Sequence, residues 1–204
     1  MAWNAVGLQA RLEREWGRHV EVRVVRETGS TNTDLLDLVR GDPSQAGIPR
    51  VLLAESQTAG RGRLGRQWQA AERALGLKAA GILIETLPLP ATPPPEERVP
   101  VLPGSRWVVV GIGINVRVND LDPRALAAQG AAGTERWRSG DDAAALWHEV
   151  LPSVCRALDD FERNGFKPIR TAVQERELLV GQAVTLSAGP EAVSYTHLTL
   201  PTKA

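Results

Sequence analysis

The stretch AESQTAGRGRLGRQW, residues 54–68, places three glycines and three arginines in seven consecutive positions and closes on Trp68. Glycine lets a backbone come close to a ligand and present its N–H groups, and arginine adds planar, permanently charged donors. Such a run is suited to holding a carboxylate or a phosphate. The same composition also serves solvated turns and weak RNA contacts, so the loop needs partners before it has a meaning. One set is Ser30, Thr31 and Asn32, where a helix is expected to begin and its unpaired N–H groups and dipole favour a polar or anionic ligand. Taken alone, those residue types read first as a plain N-cap. Gln57 stands just ahead of the loop, and Trp68 behind it is placed either to stack on a flat base or to fill a core. Lys78 is one of only three lysines, with Lys167 and Lys203, in a chain whose other basic residues are arginine. An exposed lysine at a strand start is its plain reading. Gly111, Gly113 and Asn115 in GIGIN fall where a strand turns, a position that reads first as structural, with ligand contact as the alternative.

These groups need elements to bring them together. Leu8, Leu12 and Trp16 recur every fourth residue, which predicts a short amphipathic helix over 8–19. Alternation from His19 to Val24 predicts a half-buried strand. GSTNTDLLDLVRG then reads as a helix with Leu35, Leu36 and Val39 on one face and Gly41 at its end. RVLLAE, 50–55, is a short apolar strand from whose end the arginine loop leaves. AAGILIET, 79–86, and WVVVGIGINVRV, 107–118, are two further strands, joined by a segment holding seven of the fourteen prolines. That segment is an exposed connection, so the two strands should be neighbours. Over 141–163, Leu146, Val150, Val154, Leu158 and Phe161 keep helical spacing, with Pro152 expected to kink the helix or start a second one. A last strand begins near Gln182.

Composition narrows the classes. The chain has 204 residues, 43% of them apolar and 24% charged, with a formal net charge of zero. Nothing in that balance recruits nucleic acid or an anionic membrane. A lone cysteine, Cys155, excludes an intrachain disulfide, and His19, His148 and His197 lack ligand spacing for zinc. Charges interrupt the N-terminal stretch where a signal peptide needs its apolar run, so a cytoplasmic location is expected.

The order of ETGSTNTDLL, ESQTAGRGRLGRQW, LKAAGILIE and VVVGIGINV resembles the catalytic domain of biotin-protein ligases (biotin-[acetyl-CoA-carboxylase] ligases), strongly over 21–118 and weakly as far as LLVGQAVTL. The resemblance implies an α/β (α+β) fold, a mixed and largely antiparallel sheet of the class II synthetase-like kind. It implies a two-step reaction, in which biotin and ATP, with Mg2+, give biotinyl-5′-adenylate, and a lysine of a biotin carboxyl carrier domain then takes the biotin. By position, Ser30, Thr31, Asn32 and Gln57 correspond to contacts with biotin. Gly60, Arg61, Gly62 and Arg63 correspond to the loop that closes over biotin and the adenylate phosphate. Trp68 and Asn115 correspond to the nucleotide side, and Lys78 to the ammonium that neutralises charge developing between carboxylate and α-phosphate. Catalytic work would fall to Lys78, Arg61 and Arg63.

The chain also departs from the pattern. Only nine residues, 69–77, separate Trp68 from Lys78, where the family has several dozen, including a KWPND-like motif whose aspartate helps to position ATP and magnesium. Glu72 or Glu85 would replace that acid only by accident. No helix-turn-helix precedes the first strand, so a monofunctional ligase without DNA binding is expected, with a homodimer left open. Residues 1–177 read as an incomplete catalytic domain, 178–193 as the start of an SH3-like domain, and 194–204 as an artefactual tail, since VSYTHLTLPTKA resembles a translated sequencing adaptor. A non-catalytic protein that holds biotin or its adenylate is the alternative function, and a lipoate-attaching relative a third.

Overall fold

Asn4 opens the first helix, α1 (Ala5–Trp16), by accepting a 2.9 Å hydrogen bond from the Gly7 N–H on its side chain. Gly17 closes it in the left-handed conformation, φ 75°, which favours glycine. The computed structural model describes residues 3–42, 47–61, 73–74, 77–88, 106–117, 132–136, 142–176, 184–188 and 191–195; at 73–74, 77–78, 184–188 and 191–195 it describes the backbone alone. The predicted helix over 8–19 is therefore shifted towards the N-terminus, because the local caps at Asn4 and Gly17 set its ends. Leu8 and Leu12 are fully buried on the face that packs against the first strand.

That strand, β1 (Glu21–Thr28), pairs in parallel with β2 (Arg50–Gln57), from Glu21 opposite Arg50 to Thr28 opposite Gln57. Parallel neighbours need a crossover, and helix α2 (Thr31–Gly41) lies between them in the chain and packs on β2. The carboxyl ends of both strands thus lie side by side, and from one starts α2, from the other the glycine-arginine loop. Two backbone bonds carry the pairing past the strands, Thr58 N–H to Thr28 O at 2.9 Å and Ala59 N–H to Gly29 O at 2.8 Å.

Two short strands, β3 (Arg73–Ala74) and β4 (Leu77–Lys78), form an antiparallel pair. The long hairpin of β5 (Ala80–Pro88) and β6 (Arg106–Ile114) is antiparallel along its whole length, so the proline-rich segment does join neighbouring strands. α2 packs on β6 as well as on β2, with Leu36, Leu53 and Val109 buried there. Among the described residues the strands pair two by two, one ladder parallel and three antiparallel, which agrees with a mixed, largely antiparallel α/β fold.

Helix α3 (Ala143–Asn164) runs through Pro152 as one helix, and α4 (Lys167–Arg176) follows after Gly165. The expected second helix start at Pro152 is not found. Proline lacks the N–H that would bond the carbonyl four residues earlier, and Arg11 Nη1 donates to that carbonyl, His148 O, at 2.9 Å. Contacts divide the chain into two compact units, Met1–Ser153 and Val154–Ala204. The division falls within α3. In the second unit β7 (Val184–Ala188) pairs antiparallel with β8 (Glu191–Tyr195), which reaches into the stretch expected to be an artefactual tail. Among the described residues no helix is long and apolar enough to cross a membrane.

Candidate functional site

Ser30 occupies the N-cap position of α2, yet its side chain makes no capping hydrogen bond. The capping is done from the neighbouring strand end. Gln57 Oε1 accepts from the Thr31 N–H at 3.0 Å and from the Thr31 hydroxyl at 3.4 Å. A polar side chain at the last position of β2 thereby holds the first turn of α2, which leaves the Ser30 hydroxyl uncommitted to the cap.

Asn32, 6% exposed, points its amide at β5 and donates from Nδ2 to Glu85 Oε2 at 3.0 Å. The other carboxylate oxygen, Glu85 Oε1, lies 2.9 Å from Arg61 Nη2. The sheet register explains why these groups meet. Glu85 lies opposite Val109 and Leu83 opposite Gly111, so these side-chain positions share the hairpin face towards α2. Gly111 leaves room for Asn32. A Cβ built on it would stand 2.1 Å from Asn32 Oδ1, closer than any carbon approaches an oxygen.

Ser30, Thr31, Asn32, Gln57 and Arg61 line one cleft together with Leu83, Gly111, Ile112 and Gly113 of the hairpin. The cleft opens to solvent. Most of the described residues singled out from the sequence thus surround a single opening, although they lie up to 83 positions apart, from Ser30 to Gly113. Gly60 is buried just ahead of Arg61. Asn115 is not among the cleft-lining residues; at 3% exposure it donates from Nδ2 to Ala132 O at 3.4 Å, and its backbone N–H bonds Ala79 O at 2.9 Å. That last bond fixes the backbone directly after Lys78, which pairs with Arg73 in the β3–β4 ladder. Gly62, Arg63, Trp68 and Glu72 lie outside the described residues.

The residue that sequence reasoning missed is Glu85. It entered only as an accidental replacement for a metal-binding acid, whereas it bridges Asn32 and Arg61. Its signal was an acid inside the apolar run AGILIET, at a register position that shares a face with Leu83. Among the described residues no group of three or more histidine, cysteine, aspartate or glutamate side chains comes together to hold a metal ion. Both Glu85 oxygens are engaged by donors.

No protein-family model matches the chain. Over 71 residues it is 44% identical to the biotin–[acetyl-CoA-carboxylase] ligase of Mycobacterium tuberculosis, a match covering 35% of this chain and 26% of that relative. Its fold superposes on the biotin protein ligase of Aquifex aeolicus solved in complex with biotin and ATP, with a TM-score of 0.59, 19% identity, and 85% of this chain and 84% of the other covered. An arginine-to-glycine variant of the Aquifex enzyme in complex with biotin gives a TM-score of 0.58 at 18% identity, with the same coverage.

Proposed function

We propose, from the premise that this chain has a biotin protein ligase-like fold, that its cleft binds biotin and biotinyl-5′-adenylate in the service of ATP-dependent biotinylation of a carrier protein. The observation that carries this reading is the meeting of Ser30, Thr31, Gln57 and Arg61 around one opening, from two motifs that follow the parallel strands β1 and β2. In open α/β arrangements the carboxyl ends of parallel strands are where ligands bind. Ser30 and Thr31 supply hydroxyls for the polar head of biotin, and Arg61 supplies charge for its carboxylate or the adenylate phosphate.

In the reaction the biotin carboxylate attacks the α-phosphorus of ATP and pyrophosphate leaves. The amine of a carrier lysine then attacks the acyl carbon, and AMP leaves. Lys78 is assigned to the charge that builds between carboxylate and α-phosphate, with Arg61 and Arg63 beside it, and Trp68 and Asn115 to the nucleotide. Magnesium is the ion that would screen the charge of the triphosphate. A biotin carboxyl carrier domain is the proposed acceptor, and the cytoplasm the proposed location.

A second reading, a protein that holds the ligand without making it, is favoured by two observations. Nine residues lie between Trp68 and Lys78, a span of at most about 30 Å when fully extended and too short for two strands and a helix. The hairpin face away from α2 also exposes Ile82, Ile84 and Val108, with Ile84 61% exposed. An apolar sheet face of this kind is what a missing layer of structure leaves behind. The test compares biotin transfer to a carrier domain by this chain and by a version with the span between Trp68 and Lys78 restored from the Mycobacterium relative. Activity confined to the restored version is expected; equal turnover by both would show the short chain to be a complete enzyme.

A further inference from the structure

Arg61 forms a wall of the cleft and is 46% exposed, while the carboxylate that holds it, Glu85, is 20% exposed and anchored behind it. The anchor is the buried Asn32 amide, seated in turn over Gly111. Glu85 is thus fixed on the strand and on α2, and Arg61 follows the end of β2 by four residues. With this pair made, the Arg61 guanidinium is committed to Glu85 within the cleft.

We propose that Glu85 is the resident counter-anion of Arg61: it holds the guanidinium across the ligand-free cleft, and an anionic ligand of the cleft has to take Arg61 from it. The inference rests on the reading of the cleft as a site for a carboxylate or phosphate ligand. Pinning by Asn32 keeps Glu85 from following the arginine, so the pair re-forms when the ligand leaves. The partly exposed pair is weak enough to be displaced. Glu85 therefore lowers the affinity for anionic ligands without touching biotin.

The test uses Glu85→Gln, whose side-chain oxygen can still accept from Asn32 and whose shape is unchanged, with Glu85→Asp as a second variant that keeps the charge and shortens its reach. On the ligand-free protein, modification of Arg61 by phenylglyoxal is followed by peptide mass spectrometry, with and without inorganic pyrophosphate. Arg61 should react faster in Glu85→Gln than in wild type, and pyrophosphate should protect it at about two- to fivefold lower concentration, the scale of a partly exposed ion pair. Equal rates, or weaker protection, would overturn the proposal whether or not biotin is the ligand. Titration with a non-hydrolysable biotinyl-adenylate analogue should show about two- to fivefold tighter binding by Glu85→Gln. Looser binding would make Glu85 a brace for Arg61 and not its competitor. Failure of wild type to bind the analogue, with the pyrophosphate result intact, would overturn the biotin reading alone.

Discussion

The space over Gly111 is filled by the Asn32 amide, and this contact decides where two other side chains can go. Adding a methyl at Gly111 would drive Asn32 away and release Glu85, so Gly111→Ala should destabilise the fold by about 1–3 kcal/mol, the usual cost of overpacking. In an Asn32→Ala background the same substitution should cost much less. Urea unfolding of the four proteins checks this; an equal cost in both backgrounds would mean that strain elsewhere on the strand is responsible. GIGIN favoured a structural role with ligand contact as the alternative, and the structure shows why both arise. Gly111 both lines the cleft and makes room for a neighbour, and a partner 79 positions away in sequence is not legible from local pattern. Ser30, Thr31, Gln57 and Arg61 were legible because each is a polar or charged residue at the end of a periodic apolar segment. Glu85 was not, because an acid inside a strand reads as one more outward-facing polar residue until the register is known.

At the scale of elements, α3 shows where periodicity misleads. Apolar spacing over 141–163 suggests one buried face, yet Leu146 and Leu151 are buried while Leu158 and Phe161 are 40% and 51% exposed. Spacing reports that a face is apolar and not how far along the helix a neighbour extends. Pro152 misleads in the same way, since the donor that replaces its missing bond comes from α1, 137 residues earlier than His148. Arg11→Ala should therefore cost about 1–2 kcal/mol by leaving a partly buried carbonyl unpaired. In a Pro152→Ala background Ala at 152 restores the helical donor, and the cost should fall to near zero. Thermal melts of the double-mutant cycle measure the difference; simple additivity would show that Arg11 acts through its contact with Glu15 instead. The longer strands β1, β2, β5 and β6 were legible as apolar runs bounded by turn residues, whereas the short β3, β4 and β8 were not. That β5 and β6 are neighbours was legible from the proline-rich connection, whereas the parallel sense of β1–β2 and the antiparallel sense of β5–β6 were not read from the sequence.

At the scale of the molecule, two parallel strand ends and one hairpin face make the cleft, so its parts depend on each other through the packing of α2 on β2 and β6. The exposed apolar side of the hairpin, with Ile82, Ile84 and Val108, bears on completeness and not on the cleft, which lies on the opposite face. Ligand capture and turnover are separate parts of the proposed function, and capture is the part that the cleft bears on. It is measured most directly by isothermal titration of this chain, and of its Arg61→Ala variant, with a non-hydrolysable biotinyl-adenylate analogue. The expected result is saturable one-to-one binding that Arg61→Ala weakens about tenfold to a hundredfold, the loss of a charge-assisted contact, with the melting temperature unchanged because Arg61 lies in an exposed loop. Absence of saturable binding by the wild-type chain, or equal affinity of the two proteins, would contradict the assignment of this cleft to biotinyl-adenylate.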